Sequence, residues 1–544
     1  MILSHPPVQC GQLWLRRAII VVIAAACVFV TALISQGIFE RIPHVEDEAA
    51  YWFQAQVFAQ GRLAAPTPPH PLAFWSPFVI DRDGLRFGKY PPGYPLLLAV
   101  GMLAGTPWAV NAALGALTLV LLADTGRRLY TPAAGLLTAA LGLSCPALLV
   151  AASNLLSHAA AICLTAFFLW AFSRLHDACR DRHCRRARLW AGVAGAGLGY
   201  LFITRPYDAI AVGLPFAVYL LTRLTGPQRR DWLAPIGVLT TVAGLIALSL
   251  PLYWHALSGE WFYDPYLAVF PYDRPGFGPD VGYGGYTLAE AWLNLRLNAA
   301  RMATGFLGWP GLSNLVPLAL PFLAVGLAAL RRRLVIGHSP GASAHLTRWD
   351  ALLAATFVSV VAVYATYWFY GGHDGGFPRY WLPALPALLL LSGHGVDLLA
   401  TAARTWAAEA ASLRADARGR GNALMSHLPL LGVYGALAGL VAYSMCVFLP
   451  PELAPFRGRY GVTATPLEVV RQAGVHHALV FVADTPEWSD FAVFFAANSP
   501  TLDSDIVYAR FRHPVEAAAL REHYRDRACY LQIDNRLAPC PVGR

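Results

Sequence analysis

Three consecutive acids, Glu46, Asp47 and Glu48, open the stretch HVEDEAAYWFQAQVFAQGR at 44–62, which then keeps a helical pattern as far as Gly61, a good C-terminal stop. The stretch directly follows an apolar run at 18–38, and acids packed this tightly beside a membrane are costly unless solvated, paired or used. Downstream lies KYPPGYP at 89–95; of the 41 lysines and arginines in the chain, Lys89 is the one lysine. Further ionisable residues stand at the ends of other apolar runs: His158, Arg205 in TRPYD, and His373, Asp374 and Arg379 in GGHDGGFPRY. Carboxylates and cations at one depth suit a reaction that deprotonates a hydroxyl and releases a negatively charged group.

The elements that must position these residues are set by composition. The 544 residues are 56% hydrophobic and only 13% charged, against about 25% charge in a soluble domain. Repeated apolar runs of about 18 residues or more give a polytopic helical membrane protein. The net charge of +9 is mostly loop arginine, with no soluble basic face for nucleic acid. Cys179, His183 and Cys184, with His176, have metal-ligand residue types, but lack the tight Cys/His pairs of a zinc site. Cys529 and Cys540 stand where they could pair outside the membrane.

Positive-inside counting starts from Arg16 and Arg17 before the first run and places the N-terminus in the cytoplasm. Spans are expected at 18–38, 107–124, 131–150, 155–174, 190–204, 207–224, 232–256, 311–330, 350–370, 380–400 and 428–448, about eleven in all. The short apolar run at 96–105 is laid in the outer interface as a juxtamembrane helix. That choice keeps Arg127-Arg128, the 174–188 cluster, Arg229-Arg230, Arg331–Arg333 with Arg348, and the arginines of 404–420 cytoplasmic. The fold class is thus an all-α polytopic membrane protein, with a transmembrane domain at 1–448, a first external loop at 39–106 and a long, aromatic-rich external loop at 257–310. The polar tail, 449–544, has β-rich runs at 478–483, 506–511 and 528–533 with a helical run at 514–524, and reads as a small extracytoplasmic α/β domain.

Asp47-Glu48-x-x-Tyr51 after the first span, followed by Lys89-Tyr-Pro-Pro-Gly-Tyr-Pro-Leu opening an interfacial helix, resembles the integral-membrane GT-C glycosyltransferases. Relatives of that kind include the protein O-mannosyltransferases and the aminoarabinose transferase of lipid A. The resemblance covers about the first 210 residues and returns at 371–395, where Pro378-Arg379-Tyr380-x-x-Pro383-x-x-Pro386 heads a late span.

The resemblance implies an inverting transfer of sugar from a polyprenyl-phosphate donor to an envelope glycan, glycolipid or protein, on the outer face of a bacterial inner membrane. It makes Asp47 the base, with Glu48 orienting the site or binding acceptor. It makes Lys89, Arg205 and Arg379 the donor-phosphate contacts. Tyr51, Tyr90, Tyr94, His158, His373, Asp374 and Tyr380 complete the expected substrate contacts. His158 stands where relatives carry a polar or acidic residue, so a divalent metal is left open. The competing class, a flippase of lipid-linked sugars, would favour mid-membrane charges and a repeat between halves; the charges gather at one face and no repeat is found.

Overall fold

The computed structural model describes residues 7–334, 347–418, 428–483, 487–533 and 535–540. The chain is mostly helical, and among the described residues eight helices are long and apolar enough to cross a membrane. They are Trp14–Gly37, Ala109–Leu129, His158–Arg180, Pro206–Leu224, Arg229–Ser258, Arg348–Ala365, Arg379–Ala408 and Leu428–Phe456. Gly93–Leu103, Pro132–Leu143 and Gly311–Gly326 are apolar but shorter. Cys184–Thr204 has the length of a span but carries Arg185, Arg186 and Arg188 in its first turns.

The run expected to span at 131–150 is broken. Pro132–Leu143 ends at Ser144, and a second short helix runs Pro146–Ala151. Proline disfavours the helical conformation in the residue before it, and Cys145 is extended there, at φ −77° and ψ 113°. The side chains of 327–334 and 409–418, and all of 419–427, including the arginines expected there, lie outside the described residues.

Small residues set how closely the helices approach. A Cβ on Gly195 or Gly199 would strike the Leu239 and Ala243 carbonyls of Arg229–Ala247, so bare backbone lets Cys184–Thr204 pack flat on that helix. A central apolar cluster joins Leu119, Leu148, Phe168, Phe172, Phe216 and Leu388.

Over this bundle sits an ordered outer layer. The acid-bearing helix, Glu46–Ala59, is followed by an antiparallel three-stranded sheet in which Leu85–Gly88 lies between Ala65–Pro66 and Val79–Arg82. The helix Gly93–Leu103 comes next. In the tail, strands Ile506–Phe511, Ala478–Ala483 and Ala528–Ile533 pair in parallel, in that order, with Arg536–Pro539 antiparallel at the edge. Cys529 and Cys540 form a disulfide. The tail shares a core with the first loop: Val480, Phe491, Phe494 and Tyr508 belong to one apolar cluster with Tyr51, Phe53, Tyr90 and Tyr94.

Candidate active site

All three acids fall in the first turn of Glu46–Ala59, where the helix dipole favours negative charge. Helical rotation then separates them. Glu48 is buried; its Oε2 accepts from the His44 amide at 2.7 Å and its Oε1 from the Leu155 amide at 2.8 Å. Burial pushes its carboxyl up to about 7. Both oxygens are occupied by backbone, so Glu48 pins the first loop to the segment ahead of His158. Asp47 is half-buried, and its Oδ1 accepts from the Tyr90 hydroxyl at 2.5 Å. Its other oxygen takes no hydrogen bond among the described residues, which leaves it available for a proton.

Lys89 follows the strand Leu85–Gly88 directly and is buried in an aromatic cage. Its Nζ lies 3.9 Å from the centre of Phe78, with Tyr90, Tyr266 and Phe270 within 5.4 Å. The Asp273 carboxylate faces it at 3.4 Å and is itself held by the Tyr367 hydroxyl at 2.7 Å and the Trp368 indole at 3.2 Å. Burial lowers the Lys89 pKa, and the Asp273 charge opposes that shift. Gly93 brings this loop against the end of Cys184–Thr204: a Cβ there would strike the Thr204 hydroxyl and the Ile203–Thr204 backbone, and the Tyr200 hydroxyl donates to the Gly93 carbonyl at 2.8 Å.

That contact brings Arg205 into the same layer. Its Nε donates to Asp208 at 2.7 Å, Nη1 to Ser157 at 3.1 Å and Nη2 to the Tyr364 hydroxyl at 3.3 Å. Tyr364 also donates to Asp208, and Tyr51 meets Ser157 at 2.9 Å. Arg379 enters from the far end of the chain, after the two-residue hairpin His373–Asp374 and Phe377–Pro378. A Cβ on Gly376, at φ +81°, would meet the Phe448 ring and Gly305, so only glycine fits that turn. The buried Arg379 Nε, His158 Nδ1 and Asp374 Oδ2 atoms have no hydrogen-bond partner among the described residues. Unsatisfied buried groups of this kind call for an explanation, and a bound ligand is one.

Asp47 is an electrostatic neighbour of Lys89, Tyr51, Tyr90, Asp374, Arg379 and Tyr380, while His158 feels both Arg205 and Arg379. Residues scattered from 47 to 380 therefore lie within electrostatic reach of one another. Two expected contacts stand elsewhere. Tyr94 is fully buried and meets Tyr51 edge to face at 5.0 Å, as a core residue. His373 hydrogen-bonds Tyr370 at 2.7 Å; burial, aided by Arg301, holds its pKa down at about 4, so the ring is neutral.

Sequence reasoning missed Asp273, Ser157, Asp208, Tyr364 and Tyr367. Asp208 was legible beside Arg205, three residues on along a helix; Asp273 is one acid in a long aromatic loop and carried no spacing signal. Among the described residues, no group of three or more His, Cys, Asp or Glu side chains could hold a metal.

The arrangement has parallels in known proteins. Residues 90–254 match the family model described as dolichyl-phosphate-mannose-protein mannosyltransferase. No curated protein matches the sequence. ArnT from Cupriavidus metallidurans is similar in structure, both bound to undecaprenyl phosphate (TM-score 0.55, 15% identity) and in the apo state (TM-score 0.56, 16% identity). Each comparison covers 96% of this chain and 93% of ArnT. The archaeal oligosaccharyltransferase AglB from Archaeoglobus fulgidus, in complex with an inhibitory peptide and a dolichol-phosphate, is similar at TM-score 0.50 and 12% identity, over 96% of this chain and 69% of that one. A segment of the chain thus matches a mannosyltransferase-family model, and the fold as a whole is similar to those of ArnT and AglB over 96% of its length.

Proposed function

We propose that this protein is an inverting glycosyltransferase that moves a sugar from a polyprenyl-phosphate donor to an acceptor hydroxyl of an envelope glycan, glycolipid or protein, at the outer face of a bacterial inner membrane. The observation that carries the reading is the half-free Asp47 carboxylate in one layer with Lys89, Arg205 and Arg379. Solved relatives bound to undecaprenyl phosphate and dolichol-phosphate support a lipid-phosphate carrier.

In this reaction Asp47 takes the acceptor's proton as its oxygen bonds to the anomeric carbon. The bond from that carbon to the phosphate oxygen breaks, and the lipid phosphate leaves with the electron pair. Arg379 and Lys89 meet the charge that develops on it; Arg205, held by Asp208 and Ser157, adds a preorganised positive field. Tyr90 orients the base. The Asp273 carboxylate occupies Lys89 where the phosphate is to lie, so donor binding replaces one anion with another.

The test is sugar transfer by the purified protein in detergent, from extracted bacterial polyprenyl-phosphate sugars to envelope glycolipids. Asp47→Asn is expected to lower turnover roughly 10²–10⁴-fold, with the fold kept. Lys89→Ala is expected to lose roughly 10²–10³-fold. Substantial turnover in Asp47→Asn removes that carboxylate from the mechanism.

A further inference from the structure

The helix Leu288–Gly305, in the long external loop, is apolar on the side it turns away from the protein. On its inner face Ala291, Asn298 and Met302 are buried, and Leu295 packs against the central apolar cluster. Its outer face carries Leu288, Trp292, Leu293 and Leu297, which are 73%, 60%, 53% and 47% exposed. A helix that meets water on one side carries polar and charged residues there. Here the Glu290 carboxylate is taken up in a capping box, by the Thr287 amide at 2.7 Å and hydroxyl at 3.0 Å. Arg296 is exposed and makes no ion pair among the described residues.

The helix is not itself a span: it carries Glu290, Arg296 and Arg301 within 18 residues. It lies across span ends instead. Just before it, the Tyr286 hydroxyl donates at 3.1 Å to the carbonyl of Ala365, the last residue of Arg348–Ala365. Toward its C-terminus Arg301 pairs with Glu452, near the start of the tail. A Cβ on Gly305 would strike the Gly376 carbonyl, in the hairpin before Arg379. These contacts set the helix at the height of the charged layer. Beyond it, the apolar helix Gly311–Gly326 exposes Leu312, Val316 and Leu323, so the apolar exterior continues into the bundle.

We propose that the outer face of Leu288–Gly305 is a phospholipid-binding surface, with the helix lying flat in the leaflet on the side of the charged layer. Helices of this kind bury their apolar face about 5–10 Å into the boundary between headgroups and acyl chains. Trp292 suits that depth, and the Arg296 guanidinium suits a headgroup phosphate. The occupant is lipid and not a second copy of the chain, because this face is continuous with the apolar exterior of the bundle and its one unpaired charge matches a phosphate. The same external loop supplies Tyr266, Phe270 and Asp273 around Lys89, so the bilayer holds one end of the loop that covers the site. The inference stands on the membrane fold and does not depend on the transfer reaction.

The test places p-benzoylphenylalanine at Leu293 of the full-length protein, reconstituted in nanodiscs of phosphatidylethanolamine and phosphatidylglycerol. After irradiation the intact mass is expected to rise by one phospholipid. The same probe at Asp280, in the same loop with its side chain 81% exposed, is expected to take up none. Leu297 is the second probe position if the protein altered at Leu293 fails to fold. Arg296→Gln, combined with the probe at Leu293, is expected to lower the lipid adduct roughly threefold to fivefold. No lipid adduct at Leu293 or Leu297, equal lipid labelling at Asp280, or a crosslinked dimer in place of the lipid adduct overturns the proposal. An adduct yield unchanged by Arg296→Gln overturns the phosphate contact.

Discussion

Asp47 and Glu48 are neighbours in the chain with different surroundings, and the difference is testable. Glutamine at 48 offers one acceptor oxygen where two backbone amides point, leaving one N–H against an N–H. Glu48→Gln is expected to cost about 1–3 kcal/mol, read as a lower Tm in detergent, while transfer persists in the folded fraction because Asp47 keeps Tyr90. The pH dependence has a definite sign. Burial raises the Glu48 carboxyl from 4.5 to about 7, so the folded chain keeps a proton that the unfolded chain sheds. That contribution is full below pH 4.5 and is lost as pH rises through 7, so the wild-type Tm should fall across this window more steeply than that of Glu48→Gln. Parallel curves would mean that Glu48 does not titrate there. Lys89 gives a second prediction. Burial lowers its pKa and Asp273 opposes the shift, so Asp273→Asn should move the alkaline limb of kcat/KM to lower pH. An unmoved limb would show that the Lys89 charge is not required. The acid pair and the single lysine were legible because their types and spacing are uncommon beside a membrane. Asp273 was not, since its partnership with Lys89 is made by a fold that joins residues 184 positions apart.

At the scale of elements, the site is built from ends: the first turn of Glu46–Ala59, the junction at Arg205 and the hairpin before Arg379. The apolar runs were readable because a bilayer demands a minimum length of unbroken helix. Breaks within those runs were not, because the stretch around Cys145 stays apolar throughout and hydropathy does not register a proline bend. The link between tail and acid-bearing helix was also invisible to periodicity. Trp52 Nε1 donates to the Ala496 carbonyl at 2.9 Å, Gln56 reaches the same oxygen at 3.2 Å, and Phe53 packs on Phe495 at 5.7 Å. Trp52→Phe keeps most of the ring and loses the donor, so it should lower stability by about 1 kcal/mol and reduce transfer without changing the pH profile. Deleting residues 451–544 uncovers this whole face and should abolish transfer although Asp47, Lys89, Arg205 and Arg379 all remain. Wild-type turnover by the truncated protein would show that the tail does not hold the acids in place.

At the scale of the molecule, the sidedness of the charges decides which compartment the reaction faces. Arg127, Arg128, Arg174 and Arg180 gather at one end of the bundle around Asp124 and Asp177, while Asp47, Lys89, Arg205 and Arg379 gather with the tail at the other. Arginine-rich ends stay cytoplasmic, and a disulfide such as Cys529–Cys540 persists in an oxidising compartment. Both rules support the proposed placement of the tail and the charged layer outside. Cys184 provides the check, because it is exposed within the arginine-rich end. In a variant retaining only Cys184, Cys529 and Cys540, a membrane-impermeant maleimide added to intact spheroplasts should leave Cys184 unmodified until the membrane is opened. After reduction, the tail cysteines should react from outside. Modification of Cys184 in sealed spheroplasts would invert the orientation and turn Asp47 and its cations toward the cytoplasm. An envelope acceptor on the outer face would then be out of reach, and the outward-facing reaction would have to be abandoned while the site's geometry stood unchanged.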